Sequence, residues 1–206
     1  MTYPVSDVFG PIFDGSVLTR AALSCMKTWM QTYIMEIEYQ RGYPIGEIPP
    51  PRTYTERWRF DSYPDDQIPL VVAVCPGLAG IPTHTGDGVY GAWWALGIGI
   101  IAAANTEDNS ERLAKVYGAA ARAILMQKSF FDESWEFNGV ELTDESYDDV
   151  PDIEQARTMR AVQIVTRVRV ENVGTMYGGP PVPATPPGTQ WPEVDAVYVD
   201  IEQKED

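Results

Sequence analysis

Apolar residues between positions 16 and 41 recur at intervals of three and four: Leu18, Ala22, Cys25, Met26, Trp29, Tyr33 and Ile37. That spacing draws one apolar stripe down a helix, and Gly42 and Pro44 end it. The run Pro49-Pro50-Pro51 forces extended backbone. In RTYTERWRF, Tyr54, Trp58 and Phe60 then alternate with Thr55, Arg57 and Arg59, which predicts a half-buried strand broken only at Glu56. LVVAVC (70–75) is a β-branched run closed by Pro76-Gly77, read as a strand covered on both faces.

The stretch GAWWALGIGIIAAAN (91–105) lies inside an uncharged run from Gly88 to Thr106. A membrane-spanning helix needs about 20 predominantly apolar residues, and this run reaches that length only by counting Gly88, Tyr90, Gly91, Asn105 and Thr106. Its flanks are Asp87, Glu107 and Asp108, without the Lys/Arg asymmetry that orients a span. Gly97 and Gly99 each disfavour helix by about 1 kcal/mol relative to alanine. At period two the segment sorts into Trp94, Leu96, Ile98 and Ile100 on one face, and Trp93, Ala95, Gly97, Gly99 and Ile101 on the other. The reading is a buried central strand whose small face suits close approach by a helix or a neighbouring subunit.

GLAGIPTHTGDG is a polar connection that pairs this strand antiparallel with the previous one. TEDNSERLAKVYGAAARAILMQ is the clearest helix. Thr106 or Ser110 caps it, acids crowd its first turn, and Leu113, Val116, Tyr117, Ala120 and Ile124 form its stripe. SWEFNGVELT (134–143) predicts a hairpin turning at Asn138-Gly139. DESYDDVPDIEQ reads as an acidic connection with a helical turn at 152–157. MRAVQIVTRVRVENV is a strand with Val162, Ile164, Val168 and Val170 facing in and Gln163, Arg167, Arg169 and Glu171 facing out.

Beyond Gly174 the composition changes. GGPPVPATPPGTQWP carries six prolines and no charge, which describes an arm rather than a core. It leads into VDAVYVDI, a strand-like segment that needs an edge to pair with, on the same sheet or on a neighbouring copy. The expected fold is α+β, a mainly antiparallel sheet packed by two helices with an extended Pro-rich C-terminal arm. Its units are 1–173, the α+β domain, and 174–206, the arm.

With 30 acidic residues against 15 basic ones, the net charge of −15 argues against binding nucleic acid through its phosphates. Cys25 and Cys75 have neither zinc spacing nor a disulfide framework and read as small core residues in a reducing compartment. MTYPVSDVFGPIFDG lacks the basic and apolar regions of a secretory signal.

Chemistry is sparse. The single histidine, His84, has no nucleophile motif near it, so a triad is unsupported. GDGVYG precedes a strand and lacks the P-loop Lys-Ser/Thr pair. Asp144, Glu145, Asp148, Asp149, Asp152 and Glu154 miss the glycine and terminal glutamate of a calcium loop, and read as a solvated acidic loop or one that faces a basic partner. No catalytic, cofactor-binding or metal-binding residue is assigned, and an enzyme is not expected. A metal-dependent hydrolase built on the acidic loop, and an adaptor with a small-ligand groove, are the readings from other classes; no convergent polar set supports the second.

The block from Pro69 to Val173 resembles the tail terminator proteins of long-tailed, siphovirus-type bacteriophages, especially those of actinobacterial hosts. The likeness rests on VVAVCPG, the glycine-rich loop, GVYGAWWALGIGIIAAAN, RLAKVYGAAARAIL, ESYDDVPD and TMRAVQIVTRVRVENV. It implies a virion protein of the tail and neck, assembled in the host cytoplasm. Six copies would close a ring on the finished tail tube, stop its polymerisation and offer a surface to head-completion or connector proteins. At −15 per copy, six would carry about −90 and let DNA pass through the lumen without specific binding. Loops and arm supply the expected interface residues: Thr83, His84, Asp87, Tyr147, Asp148, Asp149, Tyr177, Trp191 and Tyr198. Another neck component, a connector or stopper, is the runner-up; a tail tube subunit fits less well because of the two helices.

Overall fold

A computed structural model describes residues 13–57, 65–86, 89–128, 131–132, 135–150 and 158–175. Helix α1 spans Gly15–Arg41 and α2 spans Glu107–Gln127. Each begins as its sequence dictates. The Asp14 carboxylate accepts the Ser16 amide at 2.7 Å, and the Thr106 hydroxyl accepts the Asn109 amide at 3.3 Å, satisfying amides that have no intrahelical acceptor. Gly42 closes α1 at φ 69°, the left-handed conformation that costs a glycine nothing.

Seven strands follow the same chain order: β1 (Thr53–Thr55), β2 (Leu70–Leu78), β3 (Thr83–Gly86), β4 (Val89–Ala104), β5 (Phe131–Asp132), β6 (Trp135–Val150) and β7 (Thr158–Thr175). Among the described residues they form one sheet in the order β1-β2-β4-β7-β6-β5, with β3 also on β4. Among the described strands only β1 runs parallel to its neighbour. This is the expected α+β fold with a mainly antiparallel sheet.

Both helices lie on one sheet face. The apolar side of β4, Leu96, Ile98 and Ile100, meets Val162, Ile164 and Val168 of β7, Met26, Met30 and Ile34 of α1, and Val116, Tyr117 and Ile124 of α2. Side chains of this size contribute about 1.5–3 kcal/mol each when fully buried, so this layer dominates the fold's stability. On the opposite face a smaller cluster joins Ile68, Leu70, Val72, Ile101 and Met159. Both β2 and β4 are therefore covered on two sides, as their patterns predict.

Five segments differ from the sequence reading. β2 passes through Pro76-Gly77 instead of stopping there, with a register shift between Val74 and Gly77 and Gly77 at φ 134°. A bulge lets the missing proline amide fall where the ladder is already interrupted. THTG, expected in a polar connection, pairs with β4 as β3. Asn138-Gly139 makes no hairpin turn. β6 runs on through it, bulged between Phe137 and Val140 with Gly139 at φ 86°, because a positive-φ glycine serves a bulge as readily as a turn. The acidic loop is also a strand up to Val150, paired with β7 from Asp144↔Val165 to Val150↔Met159. β7 continues past 173, since Gly174 and Thr175 pair with Tyr90 and Val89. Within the described part of RTYTERWRF the strand is 53–55, and 58–64 lies outside the described residues, as do the expected helical turn at 152–157 and the arm from 176 onward.

Candidate functional site

The sheet face opposite the helices carries a built cluster at its β3 end. Trp93 of β4 lies opposite Arg169 of β7, and Ala95 lies opposite Arg167. The Arg167 guanidinium stands 5.0 Å from the Trp93 ring centroid and that of Arg169 stands 6.0 Å from it, close enough for cation–π attraction. Acids complete the set. Arg167 contacts Glu141 at 2.5 Å, and Arg169 contacts Glu171 at 2.8 Å. Arg169 also donates to the Thr83 hydroxyl at 3.1 Å, tying β3 to β7 across β4. Gly91 lies beneath this group, where a β-carbon would displace the ends of the Arg169 and Glu171 side chains from their present positions. His84 is exposed beyond Thr83, its ring edge-on to Tyr90 with centroids 5.4 Å apart.

The distal half of β6 places Tyr147, Asp148 and Asp149 in different settings. Alternation turns Tyr147 toward the helices, where its hydroxyl sits against Gly118 of α2 and donates to Glu145 at 2.6 Å. Burial, reinforced by the Glu145 carboxylate, pushes the Tyr147 phenol up to about 12. Glu145 in turn holds Arg122 of α2 at 2.6 Å. Asp149 lies 2.8 Å from Arg160, whose other nitrogen reaches Glu107 in the first turn of α2 at 2.9 Å. Asp148 points to the opposite face and accepts from Ser146 at 3.2 Å. Tyr147 and Asp149 thus take part in the contact between α2 and the sheet, and all three residues remain exposed at the surface. Asp87, Tyr177, Trp191 and Tyr198 lie outside the described residues.

A third surface borders α1 and β1. Lys27, Gln31, Pro50, Pro51, Arg52, Thr53 and Tyr54 line an open cleft of about 550 Å³. Burial raises the Tyr54 phenol to about 12.

Conventional chemistry finds little footing. Burial raises both thiols, Cys25 and Cys75, which leaves them poor nucleophiles. Among the described residues no group of three or more His, Cys, Asp or Glu side chains is placed to hold a metal ion, and no helix is long and apolar enough to cross a membrane.

No protein-family model matches the sequence, and no curated protein does. One solved chain, from the virion of a native gene transfer agent (GTA) particle, aligns at a TM-score of 0.40 and 19% identity, over 68% of this chain and 93% of that one. A likeness that loose carries no functional argument.

Sequence reasoning missed three features. The Trp93 cluster was half visible, since Arg167 and Arg169 alternate outward, but the partner strand that brings Trp93 to them is more than seventy positions away in the chain. Glu38 gave no signal at all. It sits in the last turn of α1, fully buried, accepting the amides of Gly46 at 2.7 Å and Ile48 at 2.6 Å. The cleft at β1 needed the packing of α1 against the sheet before it existed.

Proposed function

We propose that the protein is a virion structural component, a tail terminator that closes as a homohexameric ring on the tail tube, stops its growth and receives the head-completion proteins. What carries the reading is the sequence likeness from VVAVCPG to TMRAVQIVTRVRVENV. Its segments correspond to β2, β4, α2 and β7, which neighbour one another at the centre of the fold. A surface built of Trp93, Arg167, Arg169 and Thr83 beside a projecting β3 supports an assembly role, because aromatic and arginine side chains anchor protein interfaces. The acidic balance suits a ring through which DNA slides.

Native mass spectrometry across a concentration series, with negative-stain images of the same samples, reads the stoichiometry; rings of six are expected. The function itself is read by adding the protein to polymerising tail tube protein. Tubes should stop short and carry a ring at one end, and an unchanged length distribution with the protein in excess over tube ends would sink the reading.

A further inference from the structure

We infer that the acidic C-terminal segment 193–206 of one copy docks in the α1/β1 cleft of a second copy, its carboxylates meeting Lys27 and Arg52. The docking deepens the ring reading and rests on it.

Charge favours the site. The described cations on α2 and β7 are nearly all committed: Arg112 to Glu47, Lys115 to Glu111, Arg122 to Glu145, Arg160 to Glu107 and Asp149, Arg167 to Glu141 and Arg169 to Glu171. Lys27 and Arg52 are exposed, line the same cleft and, among the described residues, take part in no ion pair; exposed Arg57 stands just past the end of β1, whereas Arg20 and Arg41, also exposed and unpaired among the described residues, are not part of the cleft lining. In a molecule of net charge −15, cations left without acids on one surface form a local site for an anion. Segment 193–206 supplies one, with six acids and one lysine among its residues.

The backbone fits as well. β1 pairs with β2 on one side only, among the described residues, leaving an edge that an extended segment can join. VDAVYVDI alternates Val197, Val199 and Ile201 with Ala196, Tyr198 and Asp200, a pattern a strand can present to an edge. The edge at the far side of the sheet, along β6, carries Asp144 and Asp148 beside the paired Glu141 and Asp149 and is less favourable to an acidic segment.

Chain direction favours a second copy over the segment's own. β7 ends at Thr175 beside Val89, whereas β1 aligns through β2 with Gly99–Ile101 at the other end of β4. At about 3.3 Å per residue those points lie some 35–40 Å apart, and β7 itself runs toward the end of the sheet away from its own β1. The spacer 176–192 holds six prolines. Fully extended, a segment of that length spans about 50 Å, a reach long enough to bring 193–206 to a neighbour's cleft.

The test uses full-length chain with a photo-cross-linking p-benzoylphenylalanine in place of Tyr198, prepared as an equal mixture of ¹⁴N- and ¹⁵N-labelled protein. Cross-linked peptides from the 27–57 region with hybrid isotope masses are expected. The double variant Lys27→Glu/Arg52→Glu should lower their yield about tenfold, and adding Asp195→Lys/Asp200→Lys should restore it. Circular dichroism of each variant checks that it remains folded. Cross-links of a single isotope only, cross-links to another surface, or a yield indifferent to charge reversal would each overturn the docking. The two readings separate cleanly: rings without this cross-link sink the docking alone, and hybrid cross-links in samples that never form rings, free or on tubes, sink the ring alone.

Discussion

Glu38 shows how much one side chain can decide. It is the only charged residue of the described chain buried in the core, and it holds the turn after α1 by accepting the amides of Gly46 and Ile48. Glu38→Ala leaves both donors without that partner, so a loss of about 2–3 kcal/mol is expected in urea unfolding; an unchanged midpoint would mean that water replaces the carboxylate. Tyr117 is the second case. Its buried hydroxyl donates to the Pro49 carbonyl at 2.7 Å, and burial raises its pKa. Tyr54 and Tyr147 are both raised to about 12, against an ordinary value near 10. Between those values the unfolded chain gives up phenolic protons that the folded chain keeps, so stability must fall as pH rises above about 10. Unfolding midpoints at pH 8 to 12 should show this, with a shallower fall in Tyr117→Phe, which at pH 8 also loses about 1 kcal/mol with its hydrogen bond.

At the scale of elements, the contact of α2 with β6 and β7 is set by what α2 lacks. A β-carbon on Gly118 would sit 2.7 Å from the Tyr147 hydroxyl oxygen and 3.0 Å from a Val162 methyl. Gly118→Ala gains about 1 kcal/mol of helix propensity and meets an overpacking cost of about 1–3 kcal/mol, so net destabilisation is expected. In a Tyr147→Phe background the nearer obstacle is gone, and the same substitution should become neutral or stabilising. A double-mutant cycle by thermal unfolding reads this coupling; strict additivity would show that Tyr147 does not set the spacing. The same elements show how legible the fold was. α1, α2, β4 and β7 each carry a long, unbroken period, and they form where that period puts them. Asn138-Gly139, Pro76-Gly77 and the acidic stretch to Val150 were misread because turn residues and charges mark interruptions, and in a sheet an interruption can be a bulge or an exposed edge as easily as a chain reversal.

For the whole molecule, charge is the governing quantity. At −15, the protein should leave the gel mobility of linear duplex DNA unchanged at about 0.1 M salt. A shift abolished by higher salt would reveal a local basic face strong enough to override the net repulsion. The described ion pairs are mostly exposed, and such pairs contribute little stability individually. Their more important effect is distribution: they neutralise the cations on β7 and α2 and leave Lys27 and Arg52 free beside β1.

The sequence by itself determined the two helices, the central strands with their inward faces, the α+β class and the acidic character, because each follows from local periodicity or from a sum over residues. Only the tertiary structure decided which side chains meet. It brought Trp93 under Arg167 and Arg169, joined exposed Tyr147 to Gly118 of α2 and exposed Asp149 to Arg160, and set α1 against the Pro50–Tyr54 segment to open a cleft. Those meetings depend on strand order and register, which join residues distant in the chain, and a shift of one residue would send each to the opposite face.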